Sequence, residues 1–383
     1  MANVSSSNGL EKFPKLRFKG FSEPWTQVLL SDIFKKSTKK NSDGSITNVI
    51  CNSAKNGLIP QREYFDKSIA NSDNTDVYYI IEQGDFVYNP RKSSDAPYGP
   101  VSIYKYPESG IVSPLYLCFR ALRSVNSSFY DYFFKSPSWH RYIYLSGDSG
   151  ARHDRVSIKD DVFFAMPVYV PSEEEQLKIS SFISLIEERI ANQQQLVEHL
   201  KKYKRGVSNK IFSEADKWDQ VGFLDVFSTV SDKPYQVTTS EYYEFGTYEV
   251  VDQGKNDIVG YNNDESKVFY TVPIIVYGDH TTVIKFRNTP FIVGGDGVKL
   301  LTTNTNNNLQ YLYYALCQYN VQPEGYKRHF SIVKNLNIPI PSIKEQQIIA
   351  ETLATLDMKI QKESCLLEIL LTQKKAFLQK LFI

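Results

Sequence analysis

The sequence predicts an α+β protein that contains one unit written twice. Two α/β blocks are separated by an antiparallel coiled coil of two long helices, and a pseudo-twofold internal repeat relates the halves. Three observations predict this. A long amphipathic stretch occurs twice at a fixed offset, a short aromatic anchor precedes each block, and strand-like runs alternate with turns inside both blocks.

The anchors come first in each half. Residues 25–34 read WTQVLLSDIF and residues 218–227 read WDQVGFLDVF, and both fit W-x-Q-V-x-x-x-D-[IV]-F. Their aromatic and aliphatic members suit the start of a globular domain, and Asp32 and Asp225 suit turns or caps. In the first block VYYII (77–81), DFVYN (85–89) and VSIYKY (101–106) are rich in β-branched and aromatic residues and bounded by Gly and Pro, the pattern of strands. TYEVV (247–251), KVFYTVPIIVY (267–277) and TTVIKF (281–286) read the same way in the second. An aromatic helix follows in each block, over 128–145 and 308–319, and Pro137 is expected to break the first. Each block closes on related segments, GARHDRVSIKD (150–160) and GYKRHFSIVKN (325–335), then on a Pro-punctuated strand, MPVYVP (166–171) or NIPIP (337–341).

The long stretches are Pro171 to Phe212 and Pro341 to Phe382, 170 positions apart without a gap. A seam with alternating spacings of four and three falls on Ile179, Ile183, Ile186, Ile190, Gln193, Val197, Leu200, Lys204, Val207 and Ile211 in the first. In the second it falls on Ile349, Leu353, Leu356, Ile360, Glu363, Leu367, Leu370, Lys374, Phe377 and Leu381. Eight of ten positions are apolar in each copy, and the polar exceptions coincide. A period of 3.5 keeps one stripe facing a partner helix along its whole length. The resulting boundaries are residues 1–170, 171–213, 214–340 and 341–383. Helix one ends at the anchor of block two, so equivalent halves require helix two to end at the anchor of block one. That demands antiparallel helices with a block at either end of a rod. A helix of ~36 residues is ~54 Å long, enough to hold two globular blocks well apart.

Composition is that of an ordinary globular chain, 42% hydrophobic and 23% charged. No apolar run could span a bilayer, and MANVSSSNGL lacks the apolar core of a signal peptide, so a cytoplasmic protein with no membrane partner is expected. Cys51, Cys118, Cys317 and Cys365 are scattered and read as reduced thiols. Net charge is +1, but residues 218–340 carry 13 Asp/Glu against 9 Lys/Arg, which is awkward for a protein that must neutralise phosphates unaided.

Catalytic signatures are missing: no phosphate loop, no H-E-x-x-H pair, no G-x-S-x-G elbow. The five histidines show no metal-ligand spacing, and Gly294-Gly295-Asp296-Gly297 reads as a turn. The chain is therefore expected to be a non-enzyme that binds no cofactor or metal of its own. What remains is binding chemistry on loops. Asn89, Arg91, Lys92, Ser93, Ser94, Tyr98, Arg152, His153 and Arg155 are the candidates in the first block. In the second they are His280, Thr281, Thr282, Lys285, Lys299, Lys327, Arg328 and His329. Arg and Lys pair with guanine edges, and Ser, Thr and amides hold phosphates. A different class of reading also accommodates the helices, a coiled-coil scaffold joining two protein-binding domains without DNA.

P-K-L-R-F-x-G-F at Pro14–Phe21, the W-x-Q-V anchors, GDSGAR (147–152), GDHTT (278–282) and the repeated P-S-x-x-E-Q helix entry resemble the DNA-specificity subunit of type I restriction–modification enzymes. The resemblance implies two target-recognition domains, each reading half of a bipartite asymmetric DNA sequence. It implies helices that act as spacer and docking surface for two methyltransferase subunits. Translocase–nuclease subunits would join through these, and S-adenosylmethionine, ATP and Mg2+ would belong to the partners.

Overall fold

The computed structural model describes residues 13–64, 75–147, 154–325 and 327–383. They form two compact units. The first runs to Gln193 and takes in Leu366–Ile383; the second is Gln194–Cys365. Each unit thus holds one block together with part of each long helix, Glu173–Phe212 and Ile343–Lys380.

In the first unit the anchor strand Thr26–Leu29 pairs antiparallel with the closing strand Pro167–Val170, Thr26 opposite Val170 and Leu29 opposite Pro167. The block leaves and returns at one point, just before helix one begins. Asp32 caps the turn after the anchor, its Oδ2 accepting from Leu29 N at 2.8 Å. A four-stranded antiparallel sheet follows in the order Phe34–Lys36, Leu117–Ala121, Phe86–Tyr88, Val101–Ile103. Two ribbons flank it, Ile50–Ser53 with Gly57–Pro60 and Tyr79–Ile81 with Gly110–Val112. The aromatic stretch makes two helices, Ser127–Lys135 and His140–Ser146, with Pro137 between them. Phe34 packs edge-on against Phe86 and Phe119 at 5.2 and 5.3 Å, and Tyr88 stacks on Phe163 at 5.0 Å. Each such buried ring contributes about 1.5–3 kcal/mol. Ile179 and Ile183 of helix one join this core, as do Leu378, Leu381 and Phe382 at the end of helix two.

The second unit repeats the frame. Asp219–Gly222 pairs with Asn337–Ile340, and Asp219 lies opposite Ile340, the repeat counterpart of Thr26 opposite Val170. The four-stranded sheet runs Ser228–Val230, Val298–Thr302, Ile274–Gly278, Ile284–Arg287. The run 267–277, continuous in the sequence pattern, divides into Val268–Phe269 and Ile274–Gly278, which join different sheets. Where the first unit has ribbons, the second has a mixed sheet. Gln236–Val237 and Tyr248–Val251 lie parallel to Phe291–Gly294, Val268–Phe269 antiparallel to it, and Gly260–Asn262 lies beside Tyr248–Val251. The aromatic helix is Leu309–Tyr319. Asn126 and Asn308 cap the two aromatic helices alike, accepting from Phe129 N at 3.1 Å and Tyr311 N at 3.0 Å.

All twenty seam positions are buried or half-buried, whereas off-seam Leu177, Leu185, Leu196, Tyr203, Ile348 and Met358 are exposed. Within the first unit the two helices run in opposite directions. Phe182 meets Phe377 with centroids 5.0 Å apart, and Glu187 Oε1 meets Lys374 Nζ at 2.6 Å. Within the second, Lys204 Nζ reaches Asp357 Oδ1 at 2.5 Å, while Phe212 shares a core with Ile349, Ala350 and Leu353. Positions rise on one helix as they fall on the other. Both helix entries are built alike as well: Gln176 and Gln346 each donate Nε2 to a proline carbonyl, Pro171 O and Pro341 O, at 3.0 Å.

Candidate nucleic-acid interface

In the second unit four segments converge at the ends of its strands. They are residues 252–257, the GDHTT turn, the GGDG turn, and residues 324, 325 and 327–329. Asp279 N donates to Gly297 O at 2.7 Å. His280 N donates to Gln253 Oε1 at 3.0 Å, and Gln253 Nε2 donates to Asp296 O at 2.9 Å. Thr281 Oγ1 donates to Gln253 O at 2.5 Å. Gly297 has φ +84, and a Cβ there would meet Gln253 Nε2 at 2.7 Å and His280 Cδ2 at 2.8 Å, so only glycine lets the two turns approach. Thr282 has φ +58 and presents its carbonyl to Asn320 Nδ2 at 2.6 Å. Gln253 is thus the hub of the cluster, and the sequence reading missed it. A lone glutamine after a strand has no signature in sequence, because its role lies in neighbours far along the chain. Gln253→Ala is expected to leave global stability nearly unchanged and to accelerate amide exchange at His280, measured by NMR; unaltered exchange would show that the turns hold themselves.

In the first unit the corresponding hub is buried Asn52. Its Nδ2 donates to Val87 O at 2.7 Å and Pro100 O at 3.1 Å, and its Oδ1 accepts from Ser102 Oγ at 2.7 Å. Chain 90–92 lies against 154–156: Lys92 N donates to Asp154 O at 2.9 Å and Val156 N to Pro90 O at 2.8 Å, with Arg91 bridged to Arg155. This brings Arg91, Lys92 and Arg155 together, with Arg155 lining a recess of about 390 Å³ shared with Tyr88, Tyr116 and Asp160.

The candidate residues divide by where the fold puts them. Arg91, Lys92, Ser93, Ser94, Lys327 and Arg328 are exposed, and Tyr98, Arg155, His280, Thr281 and Lys299 are half-buried. Tyr98 stacks obliquely on His140 at 4.8 Å. Lys327 pairs with Glu324. Arg152 and His153 lie outside the described residues.

Four of the candidates are turned into the fold, and three of them, Lys285, His329 and Asn89, have internal hydrogen-bond partners. Lys285 is 7% exposed, and its Nζ donates to Asp252 O at 2.9 Å and Asn256 O at 2.5 Å. Burial there lowers its pKa, although Asp252 and Asp257 oppose the shift. His329 is fully buried. Its Nε2 accepts from Glu324 N at 3.0 Å, so the proton sits on Nδ1, which donates to Asp279 O at 3.1 Å. Asn89 turns inward to Asn52 O at 3.1 Å, and the Thr282 side chain is buried. A basic or amide residue on a loop looks solvated in sequence, and only the tertiary neighbours reveal its internal partner.

Among the described residues no helix is long and apolar enough to cross a membrane, and no cluster of three His, Cys, Asp or Glu could hold a metal ion.

Residues 215–370 match the family described as the type I restriction modification DNA specificity domain. An Escherichia coli protein, the type I restriction enzyme EcoR124I/EcoR124II specificity subunit, is 32% identical over 117 residues, a match that spans 28% of this chain and 28% of that one. The fold is similar to the crystal structure of a type I restriction-modification S subunit from M. genitalium, with a TM-score of 0.60 and 16% identity over 97% of this chain and 99% of that one. A chain from a structure on complex assembly and conformational transition of the type I R-M system aligns with a TM-score of 0.53 and 14% identity, over 92% and 96%. At these identities the structural likeness is one of fold. The likeness read from the sequence, to the specificity subunits of type I restriction–modification enzymes, is therefore borne out by the family model, by a sequence relative and by the fold.

Proposed function

We propose that this chain is the DNA sequence-specificity subunit of a type I restriction–modification complex and is itself non-catalytic. Each head reads one half of a bipartite, asymmetric double-stranded target in the major groove. The paired helices set the spacing of the half-sites and dock two methyltransferase subunits, through which translocase/nuclease subunits join. S-adenosylmethionine, ATP and Mg2+ act on those partners, and the complex works in the cytoplasm. One observation carries this reading: two heads on the same frame, each ending in a cluster of polar and basic loops, and each packed on two helices that run oppositely within its unit.

The surfaces offered to DNA are Arg91, Lys92, Ser93, Ser94 and Arg155 on the first head and His280, Thr281, Lys299, Lys327 and Arg328 on the second; Arg152 and His153 are candidates from the sequence alone. The acidic balance of residues 218–340 is offset when partners share in clamping the phosphates. Co-purification with the methyltransferase, and a gel shift with and without it, tests the assignment; a chain that joins proteins yet never engages DNA would favour the scaffold reading. Arg152→Ala is expected to weaken recognition of one half-site by about 1–3 kcal/mol and to spare the other. Equal loss on all DNA would assign it to phosphate alone.

A further inference from the structure

We propose that Tyr132–Glu187–Lys374 and Tyr314–Asp357–Lys204 are positioning triads: they hold each head at a fixed angle on the paired helices and so set how strictly the length of the gap between half-sites is discriminated. The inference rests on the DNA-recognition reading above and adds to it residues that touch no DNA.

The two triads are the same construction made twice. Glu187 and Asp357 lie 170 positions apart, as do Lys204 and Lys374. Tyr132 and Tyr314 each stand six residues after an equivalent helix-capping asparagine, Asn126 or Asn308. Each carboxylate divides its two oxygens between two elements. Glu187 Oε1 takes Lys374 Nζ at 2.6 Å, and its Oε2 takes the Tyr132 hydroxyl at 3.0 Å. Asp357 Oδ1 takes Lys204 Nζ at 2.5 Å, and its Oδ2 takes the Tyr314 hydroxyl at 2.8 Å. The lysine belongs in each case to the long helix that the other block issues, and the tyrosine to the head. A single carboxylate therefore ties the head to both helices.

Electrostatics favour this arrangement. Burial opposes ionisation of Glu187, but Lys135 and Lys374 outweigh it and hold the carboxyl below its ordinary range. Burial, and then the facing carboxylate, push both tyrosine hydroxyls well above their ordinary range, so both remain protonated donors. The lysines are one of the two polar interruptions in each copy of the seam, the others being Gln193 and Glu363. An apolar residue at either place would extend the stripe, and a polar residue in such a seam specifies geometry at a cost in stability. Besides the exchange of Glu187 for Asp357, the triads differ in one neighbour. Lys135 Nζ also approaches Glu187 at 3.5 Å, whereas the equivalent position on the second head is Cys317.

The angle matters because B-DNA turns as it rises. Changing the gap by one base pair moves the second half-site by ~3.4 Å and rotates it by ~34°. A head that swivels accepts neighbouring gaps; a fixed head rejects them.

The test uses the full chain co-expressed with its methyltransferase subunits, with genome-wide methylation mapping and thermal melting. Tyr314→Phe keeps the ring and removes one donor. It should lower the melting temperature by no more than ~5 °C and raise methylation at gaps one base pair longer or shorter about tenfold relative to the cognate gap. Lys204→Glu should relax the gap further. A gap preference unchanged in both Tyr314→Phe and Lys204→Glu, with only stability or overall rate altered, overturns the triads and leaves the recognition reading standing. Absence of any bipartite methylation by the wild-type complex removes both.

Discussion

Inserting one heptad into each long helix is expected to abolish methylation of the original target and replace it with a target whose gap is about 3 bp longer. The insertions would duplicate residues 193–199 and 363–369, which occupy equivalent places in the repeat. Seven helical residues add ~10.5 Å of rise, and ~3.4 Å of duplex corresponds to one base pair. A heptad returns the apolar stripe to the same face, so the seam is preserved. Both half-site sequences should be retained, because neither head changes. Insertion into one helix alone should yield an inactive chain, since the seam would then be out of step at one end. Methylome sequencing of a host expressing the lengthened chain checks the result, and an unchanged gap would refute the helices as a ruler.

Phe382→Ala is expected to destabilise the first unit, and Phe212→Ala, its repeat counterpart, the second. Phe382 is 4% exposed and packs on Phe129 and Phe133, with centroids 5.3 and 6.3 Å away. Phe212 is 5% exposed and packs on Trp218, Tyr311 and Tyr319. Removing a buried phenyl ring costs about 3–5 kcal/mol, which lowers the melting temperature of a unit of this size by roughly 6–20 °C. Calorimetry should show one transition displaced. Hydrogen exchange should speed up in the sheet containing Phe86–Tyr88 for Phe382→Ala, and in the sheet containing Ile274–Gly278 for Phe212→Ala. Equal acceleration in both sheets for either variant would show that the units do not melt separately. The same pair of measurements tests the duplication thermodynamically, because residues 170 positions apart are predicted to do the same work in different cores.

Much of this architecture is legible in the chain before it folds. Periodicity is a local property: every position that the spacing of four and three assigned to the seam is buried or half-buried, Gln193 and Glu363 among the half-buried ones. Strand runs and helix breaks are local as well, and Pro137 separates two helices as its missing N–H requires. The pairing of anchor with closing strand was less visible. Thr26 and Val170 are far apart in sequence, and only the return of the chain makes them neighbours.

By itself the sequence determined the repeat, the apolar stripes, the strand-rich blocks and the chemistry to look for, because each is written in spacing and composition. The tertiary structure alone decided which polar residues remain available to a ligand. Lys285 and His329 are hydrophilic in isolation, yet carbonyls of Asp252, Asn256 and Asp279 claim them. Gln253, Asn52 and the tyrosine–carboxylate–lysine triads acquire their roles only from partners brought close by folding. A hydrogen bond acts over about 3 Å of space, whatever the distance along the chain.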